Sequence, residues 1–313
     1  MRIFVAGDTH GNLAWVVNHL YPLAARLDAD MILVLGDFGW WEHTMQGVTF
    51  LNFISDTAQE TGIPLAALRG NHDNLARINA WYGNKPRSIH GFVKTREGVY
   101  FIPDGHLFEI DGVKLRAFGG AYSVDKQRRL EEEGRRTLEA AEQGVPKDHR
   151  GTLWFPEEEL TPEQFKALMD EYSGPVDVVL SHDRPFGANS TGLKDIPECH
   201  PNQRRLQEAM NVHRPQWWLH GHLHFAYQEE VRCGDDDRYT TVVGLACDSR
   251  AAPRFWRSYH AWGLLDLHEG VAEWVPGWTV QQALDNEDDD TTVSDALAER
   301  FLARMKVKRG ERE

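Results

Sequence analysis

The run Arg2-Ile3-Phe4-Val5-Ala6-Gly7-Asp8-Thr9-His10-Gly11 reads as a buried strand that stops at a chemically loaded turn. Its unbroken apolar stretch is the pattern of a strand covered on both faces. Met31-Ile32-Leu33-Val34-Leu35 repeats the device and delivers Gly36-Asp37. Between the two, 12–27 spaces its apolar residues near the helical period, with Asn12 as N-cap, so strand, helix and strand form a β-α-β unit. In a second unit 48–61 is helical, Gly62-Ile63-Pro64 turns the chain, and Leu65-Ala66-Ala67-Leu68 is a strand leading to Gly70-Asn71-His72-Asp73. Each polar motif lies just past the C-terminal end of a strand, where open α/β sheets place their ligands.

From Gly91 the period changes. Short strands over 99–102, 106–110 and 113–118 are separated by Pro103-Asp104-Gly105 and Asp111-Gly112, and Asp-Gly between strand-like runs signals a hairpin. A charged helix is expected over 125–143, then a helix over 161–172 opened by Thr161 and Pro162, then a strand over 176–180 entering Ser181-His182-Asp183. A helix over 202–212 and a strand over 216–219 lead to Gly221-His222-Leu223-His224, and strands return over 225–231, 239–245, 262–267 and 271–274. The fold class is mixed α/β, two mixed sheets with helices outside. After Gly277 the pattern lapses: 285–290 is an acidic run, and 293–305 reads as a surface helix or partly ordered tail. The expected organisation is a domain over 1–277 followed by an acidic linker and tail over 278–313.

The 313 residues suffice for a full core, and 41% apolar with 26% charged residues is a globular composition. No stretch approaches the roughly 18 apolar residues of a membrane span, and the N-terminal apolar run is too short for a signal peptide, so a cytoplasmic protein without membrane contact is expected. Three widely spaced cysteines argue against a disulfide framework or a zinc ribbon. A formal charge of −14 argues against extensive nucleic-acid binding, although a local basic patch stays open.

Asp8 and His10, one residue apart, can point to one side of an extended turn, and a carboxylate with an imidazole suits a borderline divalent ion. Asp37 at the neighbouring strand end can bridge two ions, Asn71 adds an amide oxygen, His182 and His222 complete one ion, and His224 completes the other. The adjacent glycines are expected to supply positive φ where the chain leaves each strand.

Taken in this order, Asp-x-His, Gly-Asp, Gly-Asn-His-Asp, a lone His and Gly-His-x-His resemble the calcineurin-like metallophosphoesterases, over roughly residues 1–266. The resemblance implies a four-layer αββα sandwich, with Asp8, His10, Asp37 and His224 on one metal and Asp37, Asn71, His182 and His222 on the other. Such a pair, about 3.5–4 Å apart, activates a bridging hydroxide and clamps phosphate oxygens. The ions could be Mn, Fe, Zn, Co or Ni, with Mn the one expected to support activity in vitro. His72 falls at the family position that faces the leaving group, and Asp73 is placed either to orient its ring or to cap the helix that follows.

The match thins at the rim. The arginine-bearing segment of the family's protein phosphatases is replaced here by Gly36-Asp37-Phe38-Gly39-Trp40-Trp41-Glu42. Trp40 and Trp41 could offer a flat wall, and Arg69, Tyr122, Lys126, Arg128 and Arg129 are further candidates for substrate contact. Asp183 and Arg184 stand beside His182. The expected function is hydrolysis of small phosphoesters, foremost nucleotides such as cyclic nucleotides. A protein Ser/Thr phosphatase, a nuclease and a non-catalytic metal-binding interaction protein are the alternatives.

Overall fold

The computed structural model describes residues 1–41, 44–145, 147–188, 194–234, 237–248 and 260–287, with side chains described as far as 284. One sheet collects β1 (Arg2–Ala6), β2 (Met31–Val34), β3 (Leu65–Ala67), β4 (Val93–Arg96), β5 (Val99–Phe101), β12 (Trp262–His268) and β13 (Val271–Pro276) in the order β13-β12-β1-β2-β3-β5-β4. The other collects β6 (Leu107–Ile110), β7 (Val113–Phe118), β8 (Val178–Ser181), β9 (Trp217–His220), β10 (Tyr227–Arg232) and β11 (Tyr239–Gly244) in the order β10-β11-β9-β8-β7-β6. Both are parallel in the middle and antiparallel at the edges.

Three apolar layers hold four structural layers together. Ile3 and Val5 of β1 face the second sheet, packing with Leu33, Leu115, Leu180, Leu219 and Val243, whereas Phe4 and Ala6 face helices on the outer side. Those helices are α1 (Leu13–Trp15) and α2 (Tyr21–Arg26), joined by a π-helical turn at Val16–Leu20, with α3 (Met45–Thr61) and α4 (Leu75–Tyr82). Outside the second sheet, α6 (Pro162–Glu171) and α7 (His200–His213) bury Phe165, Met169, Leu206 and Met210 against Val179, Trp218 and Val242. Each such side chain contributes about 1.5–3 kcal/mol by leaving water. With both faces of each sheet covered, the strand ends are held rigidly.

The expected caps form: the Asn12 side chain accepts from the Trp15 amide, and Thr161 and Gln164 make a reciprocal capping box. Several boundaries differ for physical reasons. α3 starts at Met45, because the Thr44 hydroxyl caps it by accepting from the Gly47 amide. Asp111-Gly112 is a tight hairpin between β6 and β7, with both residues at positive φ (51° and 80°). Asp104-Gly105 is not a hairpin: it carries the chain from β5 in one sheet to β6 in the other. The lapse after Gly277 is also corrected, since α8 (Gly277–Glu287) continues there and buries Val280, Ala283 and Leu284 in the domain. The first acidic residues of 285–290 thus belong to that helix, and the tail over 293–305 lies outside the described residues. All three cysteines are buried without disulfides. Among the described residues no helix is long and apolar enough to cross a membrane.

Candidate metal centre

The C-terminal ends of β1, β2, β8 and β9 meet on one side of the sandwich, and cross-sheet bonds lock them. Asp8 Oδ1 accepts from the His222 amide at 2.9 Å, and His182 Nδ1 donates to the Leu35 carbonyl at 2.8 Å. Asp8 and Asp37 are both buried. Around them stand His224, with Nε2 3.0 Å from Asp8 Oδ2, and His10, with Nε2 3.9 Å from Asp8 and 3.7 Å from Asp37. His182 Nε2 lies 3.0 Å from Asn71 Oδ1 and 3.6 Å from Asp37 Oδ1, and the His222 ring is 5.0 Å from that of His182. Two groups able to hold an ion result, Asp8 with His10 and His224, and Asp8 with Asp37 and His182; the donor atoms of each lie within 4.8 Å of one another. Asp8 belongs to both, alongside Asp37, which spans His10 and His182.

The side chains themselves call for cations. Because a carbonyl only accepts, His182 carries its proton on Nδ1, which leaves a lone pair on Nε2. Asn71 donates through Nδ2 to Ser123 Oγ at 2.9 Å, so its Oδ1 is turned toward that lone pair. In this amide orientation two electron-rich atoms face each other at 3.0 Å, a contact that a metal ion between them would relieve. The imidazole, carboxylate and amide donors suit a borderline divalent metal.

Electrostatics agree. Burial alone would raise the Asp8 carboxyl, yet His182, His224 and His10 outweigh it and hold it well below the usual carboxylate range. Burial opposes charge on His224, but the hydrogen bond it donates to the Asp8 carboxylate pushes it up to about 11. Burial is likewise outweighed at Asp37, which His72 and His182 lower. Protons on His224 and His10, the two imidazoles pushed up, balance the buried carboxylates, and divalent ions would displace them.

Backbone strain concentrates at the same residues. His10, Asp37, His222 and His224 all have positive φ, between 46° and 63°, which side chains rarely adopt. Of the glycines before these motif residues, Gly36 takes the expected positive φ (96°), whereas Gly7, Gly70 and Gly221 do not. Gly70 has an ordinary φ and is needed for space, since a Cβ there would lie 2.0 Å from Asp37 Oδ1.

His72 donates its backbone N–H to Asp37 Oδ1 at 2.9 Å and sets its ring Nε2 3.6 Å from Asp37 Oδ2. Burial pushes the ring down to about 4; Asp37 opposes the shift and Arg129 adds to it. Asp73 neither orients this ring nor caps a helix. Its buried carboxylate accepts the amides of Phe38, Gly39, Trp40 and Gly70, tying the Asp37 loop to the Asn71 loop, and Asn74 is the cap of α4. Burial and the Asp37 charge push Asp73 up to about 6, and the backbone donors offset this only in part.

Two rim candidates are corrected outright. Trp40 is buried among Phe38, Tyr82 and Phe101, and Arg69 is fully buried, pairing with Asp104 at 2.7 Å and donating to the Glu157 and Glu158 carbonyls. Neither can touch substrate. Trp41 does reach the rim, its Nε1 donating to the His72 carbonyl at 3.1 Å. Arg128 is 73% exposed and paired to Asp125. Lys126 sits 4.2 Å over the Trp154 ring and 5.8 Å from Tyr122, which is half-buried. Arg129 on α5 (Lys126–Glu142) is the cation that arrives: held by Asp125 at 2.6 Å and by the Leu153 carbonyl at 2.8 Å, it sets Nη2 2.9 Å from His72 Nε2. Asp183, buried, accepts from Asn202 Nδ2 at 2.9 Å behind His182.

Sequence reasoning missed Ser123 and Asp248. Asp248 donates its amide to the Asp8 carbonyl at 2.8 Å and lies 3.6 Å from His10 Nδ1. Its signal was present, an acid shortly past the end of β11.

The segment carrying Leu153 is fastened to α5 by buried Glu133, whose carboxylate accepts the amides of Gly151, Thr152, Leu153 and Trp154. Glu133→Ala is expected to cost about 3 kcal/mol or more, the upper range for hydrogen bonds to a charged group, read as a lowered urea midpoint. A midpoint equal to that of the parent would show the loop to be held by other contacts.

A model of the Calcineurin-like phosphoesterase family matches residues 1–226. The chain belongs to that family, and its strand order and clustered Asp and His donors are what membership calls for. Among curated proteins it is similar to the lariat debranching enzyme of Saccharomyces cerevisiae, 22% identical over 262 residues, covering 74% of this chain and 59% of that protein. It is also similar to the lariat debranching enzyme of Schizosaccharomyces pombe, 21% identical over 257 residues, covering 74% of this chain and 50% of that protein. The chain thus spans half to three fifths of the length of these relatives. Among solved structures, a crystal structure from Thermus thermophilus is similar at 15% identity and a TM-score of 0.46, covering 88% of this chain and 98% of that one.

Proposed function

We propose that this protein is a dinuclear-metal hydrolase of small phosphoesters, with nucleotides, cyclic nucleotides foremost, as its substrates. The observation that carries this reading is the convergence of Asp8, His10, Asp37, His182 and His224 on one strand-end cluster with the His72 ring beside it. Asp8, His10, Asp37 and His224 would hold one ion and Asp37, Asn71, His182 and His222 the other, with Asp8 within reach of both. When bound, the ions would polarise the phosphoryl oxygens and acidify a water for in-line attack. The chain's own residues do the rest. Ser123 turns the Asn71 carbonyl oxygen inward, Leu35 fixes the His182 tautomer, and Asp73 locks the Asp37 and Asn71 loops together. His72, at the open side of Asp37, faces the departing oxygen and stabilises its charge, with Arg129 alongside. The catalytic domain of this proposal runs from β1 through α8. A cytoplasmic location suits its three buried free cysteines.

The names of the two curated relatives favour a second reading, cleavage at a branch of a larger substrate. A net charge of −14 counts against a long polyanion.

The test is hydrolysis of bis-p-nitrophenyl phosphate and p-nitrophenyl phosphate with Mn, followed by EDTA. Metal-dependent turnover is expected, abolished by the chelator; no turnover with any divalent metal sinks the enzyme reading. A panel of 2′,3′-cyclic, 3′,5′-cyclic, linear and branched nucleotides then separates the two readings.

A further inference from the structure

The candidate centre opens on two chemically different sides. On one side stand His72 and Arg129, with Asp125 and the Leu153 carbonyl behind them. On the other, starting at His10 and Asp248, a cavity of about 910 Å³ runs between the first helical stretch and α3. Its far walls carry no charged side chain. Val17, Met45 and Phe53 line it with apolar surface, and Asn18, Gln46 and Thr49 add amides and a hydroxyl. Met45 is 81% and Phe53 51% exposed, so neither is spent on the core, whereas Phe50 beneath them is buried. On α3, Met45, Thr49 and Phe53 are spaced four residues apart and fall on one helix face.

We propose that this groove is the subsite for the uncharged, flat, hydrogen-bonding organic group that stays on the phosphorus, a nucleobase with its sugar. The inference rests on the phosphoesterase reading and deepens it. Three features converge on this occupant. The groove is continuous with the cluster at His10, so a group esterified to a phosphate there enters without leaving the surface. Its volume lies at the upper end of the range for small-molecule sites, enough for a nucleoside. Its lining pairs an exposed aromatic face and a polarisable thioether with neutral donors and acceptors, which favour a heteroaromatic ring over an ion. The leaving group then departs on the opposite, cationic side, past His72 and Arg129. The substrate's direction in the site is thereby set: base toward α3, leaving oxygen toward α5.

The experiment uses two diesters with the same leaving group, thymidine 5′-(p-nitrophenyl phosphate) and methyl p-nitrophenyl phosphate, with the full chain and Mn. In both, the oxygen of water adds to phosphorus and the P–O bond to p-nitrophenolate breaks, so they differ only in the group retained. The ratio of their kcat/KM values is expected to favour the thymidine ester by about tenfold in the parent, the scale of one base stacked on an aromatic ring. Phe53→Ser, which removes the wall, and Thr49→Trp, which fills the groove, should each bring that ratio down toward one. A parent ratio near one, or a ratio that both variants leave unchanged, overturns the proposal; a groove serving a macromolecular partner gives the latter result. Calorimetric titration of thymidine 5′-monophosphate against methyl phosphate, on parent and variants, reads the same preference without turnover. If the parent hydrolyses neither ester, nor p-nitrophenyl phosphate with any divalent metal, the phosphoesterase reading fails; whenever neither diester turns over, the titration alone decides the groove: weaker thymidine 5′-monophosphate binding in both variants upholds it, equal binding overturns it.

Discussion

Asp37→Asn is expected to strip the protein of bound metal and to lower phosphoester hydrolysis by more than about a hundredfold, since loss of a ligand's mere outer partner already costs 10–100-fold. The reason is position. One carboxylate oxygen of Asp37 lies 3.6 Å from His182 and accepts the His72 amide; the other lies 3.7 Å from His10 and 3.6 Å from His72. Asp37 thus reaches His10 on one side and His182 on the other. Asn is the informative substitution, because Asp37 sits at a φ of 46°, a left-handed conformation that Asn also tolerates. The variant can therefore keep the shape of the loop and the bond from the His72 amide while losing the charge. Asp37→Ala removes the same charge and adds backbone strain, so it should lose metal and also melt earlier. Metal content after dialysis, set beside a thermal melt, separates the two effects. An Asn variant that retains the parent's metal would remove Asp37 from the ligand set.

What could be read from the sequence follows from how local each cause is. β1 and β2 were legible because a strand covered on both faces must be apolar at every position, and Ile3 through Ala6 and Met31 through Val34 are. The residues of the centre were legible because every donor follows such a run directly. Contacts made across the fold were not. Nothing near Arg69 announces that Asp104 and the carbonyls of Glu157 and Glu158 will surround its guanidinium, so an arginine beside a site motif looked like a phosphate ligand. Trp40 and Trp41 are adjacent and alike in composition, yet the turn after Gly39, at a φ of 114°, sends one ring into the core and the other to the rim. Asp73 misled for the same reason: three of its four backbone partners belong to the loop after β2, 33 to 35 residues away. α4 needed only its own Asn74, one residue later. The switch of sheets at Asp104-Gly105 was hidden too, because a turn's residues specify its local bend and not the sheet that the next strand joins.

His72 and Arg129 should behave as one unit. His72→Ala is expected to keep the parent's metal content but to lose about 10²–10⁴-fold in kcat on alkyl phosphoesters, the range that a positioned imidazole contributes. With p-nitrophenyl esters the loss should be far smaller, since that leaving group departs as a stable anion and asks little of either residue. Arg129→Ala should show the same dependence on the leaving group. Its Nη2 rests on the His72 ring, and its other nitrogens are taken by Asp125 and the Leu153 carbonyl, so it cannot swing away to act elsewhere. Arg129→Lys should not rescue, because one ammonium cannot hold Asp125, the carbonyl and the imidazole together in the planar arrangement a guanidinium allows. Two groups that stabilise the same developing charge lose little more when both are removed than when the better one is. The double variant is therefore expected to match the worse single variant on alkyl esters. Losses that multiply would instead place Arg129 on a different part of the substrate, with the imidazole acting alone on the departing oxygen.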